Sequence, residues 1–555
     1  MGVPGFFMWL MKQYKNKKFV FAKGSKDKTH SVNNIDWFLI DMNCMIHPVC
    51  FKTLAEITNH LDNNALENRM YNKIIEYLES TIAHALPRKG IYIAIDGVAP
   101  VAKMKQQRLR RYKSINDYNL YKNLRKKYNK PEPLYWSNSC ITPGTQFMKK
   151  LNNRIQEWSI EYAIKNKLEI IFSSSDIPGE GEHKLLQFIR TKSDLENLNL
   201  YYAIYGLDAD LIFLALSTNL NGIYLMREGK IFTHDTVDGF NFVSIEIMKE
   251  CIIDTMITNI DLINSINSIN IDTNRLIVDF IFICYLMGND FLPHLPSLNI
   301  YDGAISVLIK KYGETFIDTL DYIINKNKDD INTNIFYNYI NRLASIEESS
   351  LKKIFTTKKF SHPCISEDPY DIEVHRIENM KFKVNDPIQL GSDSLINGRN
   401  RYYNYYYHTI DSENESFSKN MVSHYMLGLK WVTCYYFNKC PDWNWYYPYD
   451  HPPFLTDISK NIFNFNTMIL PYNECTISPL EQLLIVLPRQ LAFLLPENLK
   501  KIMLNLNSSA SHLYPSSFEL DMISKKKYWM CNPILPNLEI NLIVLMYKKY
   551  NLLKQ

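Results

Sequence analysis

At 555 residues the chain is too long for one ordinary domain and long enough for a large core or two to three lobes. Hydrophobic residues make up 46% and charged residues 22%, the balance of a globular, soluble protein, while a net charge of +4 is too small to mark a nucleic-acid binder by composition alone. The ten cysteines are scattered without a CxxC pair, which signals neither a zinc site nor a disulfide framework and fits reduced thiols in a cytosolic or nuclear compartment. The N-terminus, "MGVPGFFMWLMKQYKNKK", is apolar before it is basic, the reverse of a secretory signal peptide. The longest apolar runs, such as "LIVDFIFICYLMG", contain an acid and are too short to span a bilayer, so no membrane partner is expected.

In chain order, "WFLIDMN" (37–43), "IYIAIDG" (91–97), "LEIIFSSSD" (168–176) and "YYAIYGLDAD" (201–210) read as buried strands, each followed by a helical pattern. Continuous apolar strands alternating with helices predict a largely parallel sheet covered on both faces, an α/β core. "SLNIYDGAISVLIKKYG" continues as helix, and 258–274 and 325–334 are low-complexity surface segments. The stretch 355–398 has few periodic apolar positions and reads as a linker, and an aromatic-dense, mostly helical second lobe begins near Arg399. The expected division is therefore a core at 1–300, a helical and linker region at 301–398 and the second lobe at 399–555.

Three of the strands end in aspartate: Asp41, Asp96 and the pair Asp208 and Asp210. In open parallel sheets ligands gather at the carboxyl ends of strands. Asp208 and Asp210 differ by two, so an extended segment would point both one way. Glu180 and Glu182 flank Gly181 at a helix start, and Asp290, in "MGNDFLPHLP", follows a buried helix. One such aspartate is as readily a turn residue or helix cap. Seven acids from five segments repel one another unless cations sit among them, and two Mg²⁺ ions held by carboxylates and water suit in-line phosphodiester cleavage.

Between Lys103 and Lys130 there are eleven Lys and Arg and one acid, Asp117. A solvated helical face is the bland explanation. Lys103, Gln107, Arg110 and Arg111, however, fall at i, i+4, i+7 and i+8 and share one helix face, a set suited to a terminal phosphate. Lys122, Arg125 and Lys126 are left to the nucleic-acid backbone or to solvent. His47 follows "DMNCMI", and Trp443 and Trp445 read either as stacking platforms or as core residues that join the lobes.

The segments "GVPGFF", "DMNCMIH", "DGVAPVAKMKQQRLRRY", "SNSCITPGTQFM", "DIPGEGEHKL", "YGLDADLIFLAL" and "GNDFLPHLP" stand in an order that resembles the XRN family of 5′→3′ exoribonucleases. "GLKWVTCYYF", "WNWYYPYDHPPF" and "SPLEQLLIVLP" are similar to that family's second conserved region. The resemblance implies a 5′-nuclease, PIN-like core whose second lobe restricts the active-site opening. It makes Asp41, Asp96, Glu180, Glu182, Asp208, Asp210 and Asp290 the catalytic magnesium ligands, with Mn²⁺ as a substitute. It makes Lys103, Gln107, Arg110 and Arg111 the 5′-monophosphate pocket and His47 the base-stacking residue. The implied activity is processive hydrolysis of 5′-monophosphorylated single-stranded RNA. The alternatives are a structure-specific DNA 5′ nuclease of the flap-endonuclease type and a non-catalytic RNA-binding scaffold.

Two departures stand out: Gly5 and Met8 take places that are often basic in the family, and Cys44 replaces a usual glycine after "DMN". The resemblance is expected to include neither the long C-terminal extension of the cytoplasmic branch nor the zinc-knuckle CxxC pattern of some nuclear members, so it implies neither branch and no protein partners. A cytoplasmic location is expected over a nuclear one. A compact member rich in Asn, Ile, Lys and Tyr fits an AT-rich genome such as that of a protist or a large DNA virus.

Overall fold

The computed structural model describes the chain except residues 1–4, 16–18, 23–31, 33, 58–61, 197–199, 229–238, 262–270, 357–362, 466–469, 475 and 553–555. The "GVP" that opens the "GVPGFF" segment therefore lies outside the described residues. A seven-stranded sheet organises the N-terminal half: β1 (Val20–Ala22), β2 (Trp37–Asp41), β3 (Gly90–Ala94), β4 (Glu169–Ser173), β5 (Tyr202–Tyr205), β6 (Ile223–Glu228) and β7 (Phe240–Ser244), in the order β1-β7-β6-β5-β2-β3-β4. The five strands β6-β5-β2-β3-β4 are parallel, with Trp37 opposite Gly90 and Tyr202 and Asp41 opposite Ala94. Antiparallel β7 and β1 extend one edge.

All four expected strands are present, and all five residues of β2 are buried. Its alternate residues feed separate cores, as a pleated strand requires. Trp37 and Leu39 join the core that contains Leu185, Leu211 and Phe280, while Phe38 and Ile40 join Met45, Ile74 and Leu151 on the opposite face. The chain runs from β2 to β3 and β4 on one side, then returns to β5 and β6 on the other. The direction of winding thus reverses at the β2–β5 junction, the place where open α/β sheets bind ligands.

Beyond the sheet the chain is mainly helical, and helices at Ala304–Thr319, Thr333–Ala344 and Glu347–Thr356 precede the expected linker. That linker itself contains a helix at Pro369–Glu378, capped by Asp368, a short-range signal that sparse apolar periodicity hides. The first core continues without a break from Phe280 and Leu308 to Tyr403, Tyr425 and Trp431, across residues 300 and 398. The Asn414–Phe437 helix lies close against the segment that carries Asp290: a Cβ on Gly428 would sit 2.6 Å from Leu292 and 2.9 Å from Trp445. A third core packs Leu483, Leu487, Leu499, Ile502 and Ile543 against Val101, Met104 and Ile115. Among the described residues no helix is long and apolar enough to cross a membrane.

Candidate active site

The carboxylates reach the switch point from separate elements. Asp41 is the last residue of β2, Asp96 lies two residues past β3, and Glu180 and Glu182 bracket the first residue of the Gly181–Glu196 helix. Asp290 follows the buried Thr273–Cys284 helix and its 3₁₀ turn at Tyr285–Met287. Asp208 and Asp210 do not lie on an extended segment as the sequence reading had it. The strand ends at Tyr205, Asp208 lies exposed in the loop, and Asp210 is the buried first residue of the Asp210–Ser217 helix. The apolar run "LIFLALS" favours a helix starting there over a longer strand.

The seven acids share one electrostatic neighbourhood. Burial, and then Asp96, push the Asp41 carboxyl up to about 8. Burial and Asp290 push Asp210 up to about 7. Burial and Asp210 hold Glu182 well above the ordinary carboxylate range, and burial raises Asp96 against the N–H of Gly181 that lowers it. Carboxylates pushed up by burial and then by one another are stabilised in their charged form by any cation held among them. Asp290 is the exception: burial would raise it, but the Lys103 ammonium holds it below its ordinary value.

Their orientation is built by neighbours. Gly181 N–H donates to Asp96 Oδ1 at 2.6 Å, and the Asn43 amide donates to Asp96 Oδ2 at 2.6 Å. Asn43 N–H donates to Asp41 Oδ1 at 3.2 Å and the Cys44 thiol to Asp41 Oδ2 at 3.2 Å. Lys184 anchors the Glu182 turn by donating to Ile95 O at 2.8 Å and Ser174 O at 3.0 Å. Lys103 Nζ lies 2.5 Å from both Glu180 Oε2 and Asp290 Oδ2. Glu182 Oε2 is buried with no hydrogen-bond partner. In this side-chain arrangement no three of the described acidic, His or Cys groups converge on a single metal position. The donor set is nevertheless all hard oxygen, crowded and undercompensated, with an orphaned buried Glu182 oxygen, and that suits a hard divalent cation.

The basic helix spans Val101–Lys127 and runs past this cluster. Arg111 donates to Gln107 O at 3.3 Å and to Thr142 Oγ1 at 2.8 Å, and its buried Nε has no partner. Burial, with Arg110 beside it, brings Arg111 down to about 10; burial with Arg110 and Arg111 brings His47 down to about 4, so the imidazole is neutral near pH 7. Lys103, Gln107, Arg110, Arg111 and His47 line the same cavity of about 1810 Å³ as Asp41, Asp96, Glu180, Glu182, Asp208 and Asp290. Lys103 departs from the grouping read in the sequence, because its ammonium is committed to the acids. Arg108, on another side of the helix, is structural: it donates to Ile485 O at 2.9 Å and to Leu513 O.

Trp445 stacks on Trp431 with centroids 5.1 Å apart, and Trp443 O accepts from Val101 N–H at 2.9 Å, so both tie the aromatic region to the core. Asn43, Gln106 and Tyr435 hold the acids and Lys184 holds the turn before Glu182, and all four escaped the sequence reading. Of these only Asn43 carried a local signal, its place two residues after Asp41.

Comparison with known proteins bears on the whole chain. Residues 1–229 match the family model described as XRN 5′-3′ exonuclease N-terminus, and residues 270–366 and 366–551 match the Xrn1 helical domain. The chain is 27% identical to 5′-3′ exoribonuclease 2 of Candida albicans, over all of this chain and 73% of that protein. It is 28% identical to human 5′-3′ exoribonuclease 1, over 97% of this chain and 33% of that protein. It is 26% identical to 5′-3′ exoribonuclease 2 of Arabidopsis thaliana, over 97% of this chain and 66% of that protein.

Proposed function

The chain belongs to the XRN 5′-3′ exonuclease family and is on that ground an exoribonuclease, and we propose that it hydrolyses 5′-monophosphorylated single-stranded RNA processively with two divalent metal ions, Mg²⁺ or Mn²⁺. The observation that carries this reading is the single cavity lined both by six of the seven acids and by the phosphate-suited face of the Val101–Lys127 helix.

In this reading Asp41, Asp96, Glu180, Glu182, Asp208, Asp210 and Asp290 hold the metals. When bound, the metals supply Lewis acidity at the scissile phosphate and a lowered pKa for the attacking water. Arg110 and Arg111 offer charged forks to the terminal phosphate, and Gln107 adds an amide, so the 5′ end is fixed and the next phosphodiester is presented to the acids. The neutral His47 ring stacks on the first base, a contact worth about 1–3 kcal/mol that tolerates any sequence. Each cleavage exposes a new 5′-monophosphate, so the same pocket reads every successive end.

The test compares one RNA carrying a 5′-phosphate, 5′-hydroxyl or 5′-triphosphate, together with its circular form and the matched DNA. Fast decay of the 5′-phosphate RNA alone is expected. Equal rates at all three ends, or cuts within the circle, would overturn the end-reading proposal. Preference for branched DNA would favour the flap-type alternative.

A further inference from the structure

Resting on that reading, we propose that Lys103 is the counter-cation of the metal-free acidic cluster and moves to the terminal phosphate when divalent metal arrives, coupling metal binding to end recognition. The ammonium sits 2.5 Å from an oxygen of Glu180 and 2.5 Å from an oxygen of Asp290. Its side chain is only 11% exposed, so solvent does little to screen the three charges. A divalent ion bound to either carboxylate meets the ammonium at ion-pair distance, and like charges that close exclude each other. Metal and ammonium are therefore competitors for the same oxygens.

The structure also provides for the exchange. When Lys103 leaves, the second oxygen of Glu180 is still held by the Tyr435 hydroxyl at 2.8 Å, and that of Asp290 by the Gln106 amide at 3.0 Å. The two carboxylates therefore keep their orientation. Lys103 shares its helix face and its cavity with Gln107, Arg110 and Arg111, so the displaced ammonium has an anion-binding group beside it. A lysine suits this better than an arginine, because a compact charge on a flexible four-carbon stem changes partners without a fixed fork geometry. Coupling of this kind is reciprocal: metal tightens phosphate binding, and phosphate tightens metal binding.

The experiment uses the full chain and needs no turnover. Mn²⁺ binding is titrated by electron paramagnetic resonance for wild type, Lys103→Met and Lys103→Arg, and melting is followed in EDTA and in saturating Mn²⁺. Removal of the competing ammonium should tighten Mn²⁺ binding by roughly tenfold or more, the scale of one charged hydrogen bond. Lys103→Met should melt lower than wild type in EDTA and regain the difference in Mn²⁺. Lys103→Arg keeps the charge, should fold without metal, and should bind Mn²⁺ no more tightly than wild type. Adenosine 5′-monophosphate, with adenosine as the control, should bind wild type more tightly once Mn²⁺ is present, and Lys103→Met should lose that gain. Mn²⁺ binding by Lys103→Met equal to or weaker than wild type, with the same melting deficit in EDTA and in Mn²⁺, would make the lysine merely structural and overturn the proposal. Hydrolysis of 5′-phosphate RNA by wild type is measured alongside. Hydrolysis without coupling sinks the exchange alone, whereas coupling without hydrolysis sinks the functional reading.

Discussion

The hydroxyl of Tyr435 donates to Glu180 Oε1 at 2.8 Å, joining two residues 255 positions apart. A tyrosine of the Asn414–Phe437 helix thus reaches into the cluster at the carboxyl end of the sheet. His183 lies 3.8 Å from the Tyr435 ring, and Phe291 and Trp431 also pack on it, so the hydroxyl is held in place. The helical part of the chain is therefore part of the active-site wall.

Tyr435→Phe keeps those ring contacts and deletes only the donor. A hydrogen bond to a charged group contributes about 1.5–3 kcal/mol. Denaturant unfolding of the metal-free protein should fall by an amount on that scale, and hydrolysis should drop with it. Unchanged stability and unchanged hydrolysis would show that Lys103 alone positions Glu180.

Gly181 stands between the two glutamates because nothing larger fits there. A Cβ would lie 2.9 Å from Asp41 Oδ1 and 3.2 Å from Asp96 Oδ1. Alanine is the better helix former by about 1 kcal/mol, so the helix itself should not suffer. Gly181→Ala should melt near the wild-type temperature yet lose about a hundredfold in rate, the scale of a small misplacement of reacting groups. Normal turnover would mean that the Asp41 and Asp96 carboxylates are free to move aside.

Asp208 and Asp210 should separate in their effects on the fold. Asp208 is exposed, so Asp208→Ala should leave thermal melting unchanged while hydrolysis is lost and RNA is still bound. Asp210 is buried among Glu182, Asp290 and Asp208, so Asp210→Ala relieves repulsion and should raise stability in EDTA while also stopping hydrolysis. Wild-type hydrolysis by either variant at saturating Mg²⁺ would remove that residue from the metal set.

Strands β2, β3, β4 and β5 were legible because a buried parallel strand is a nearly continuous apolar run, as "WFLI" and "YAIY" are. Strands β1, β6 and β7 were not, since "VFA", "IYLMRE" and "FNFVS" are short or carry polar and charged residues that break the apolar run. The acids could be read from the sequence because local motifs carry them. Their partners could not: nothing near Tyr435 or Gln106 in the sequence distinguishes a carboxylate-holding side chain from a core aromatic or a surface amide. The same limit hid the role of Lys103, whose helical spacing places it with Arg110 and Arg111 while its contacts place it with Glu180 and Asp290.

Arg399, near which the second lobe is expected to begin, is a buried anchor. It donates to Asp457 Oδ1 at 2.7 Å and to Ser418 Oγ at 3.0 Å, and Tyr403 donates to Asp457 Oδ2 at 2.6 Å. Three helices, Leu395–Tyr407, Asn414–Phe437 and Leu455–Asn461, meet at this one guanidinium. Asp457→Ala takes the nearer carboxylate from a buried guanidinium and leaves it Glu415 at 3.5 Å, a loss of up to about 3–5 kcal/mol. Calorimetric or denaturant unfolding should show a loss of that size. A change near zero would mean that water reaches Arg399 and replaces the carboxylate.

The 5′ end supplies the last prediction. Arg110 lines the cavity, and its charge helps to lower the pKa of both His47 and Arg111. A 5′-monophosphate brought against Arg110 and Arg111 meets two cations that have few anions of their own, whereas a 5′-hydroxyl offers them no charge. Loss of one charged hydrogen bond costs about 1.5–3 kcal/mol, or roughly ten- to a hundredfold. Arg110→Ala should slow decay of 5′-phosphate RNA by about that factor and leave 5′-hydroxyl RNA almost unchanged. Because burial and then the Arg110 charge hold the imidazole pKa down, the variant's His47 pKa should rise part of the way from about 4, a shift visible by NMR titration of the ring. The two readouts are independent, since the first needs RNA and the second does not. A uniform slowing at every 5′ end, with the His47 titration unmoved, would leave Arg110 as a solvated surface charge and remove it from the end-reading pocket.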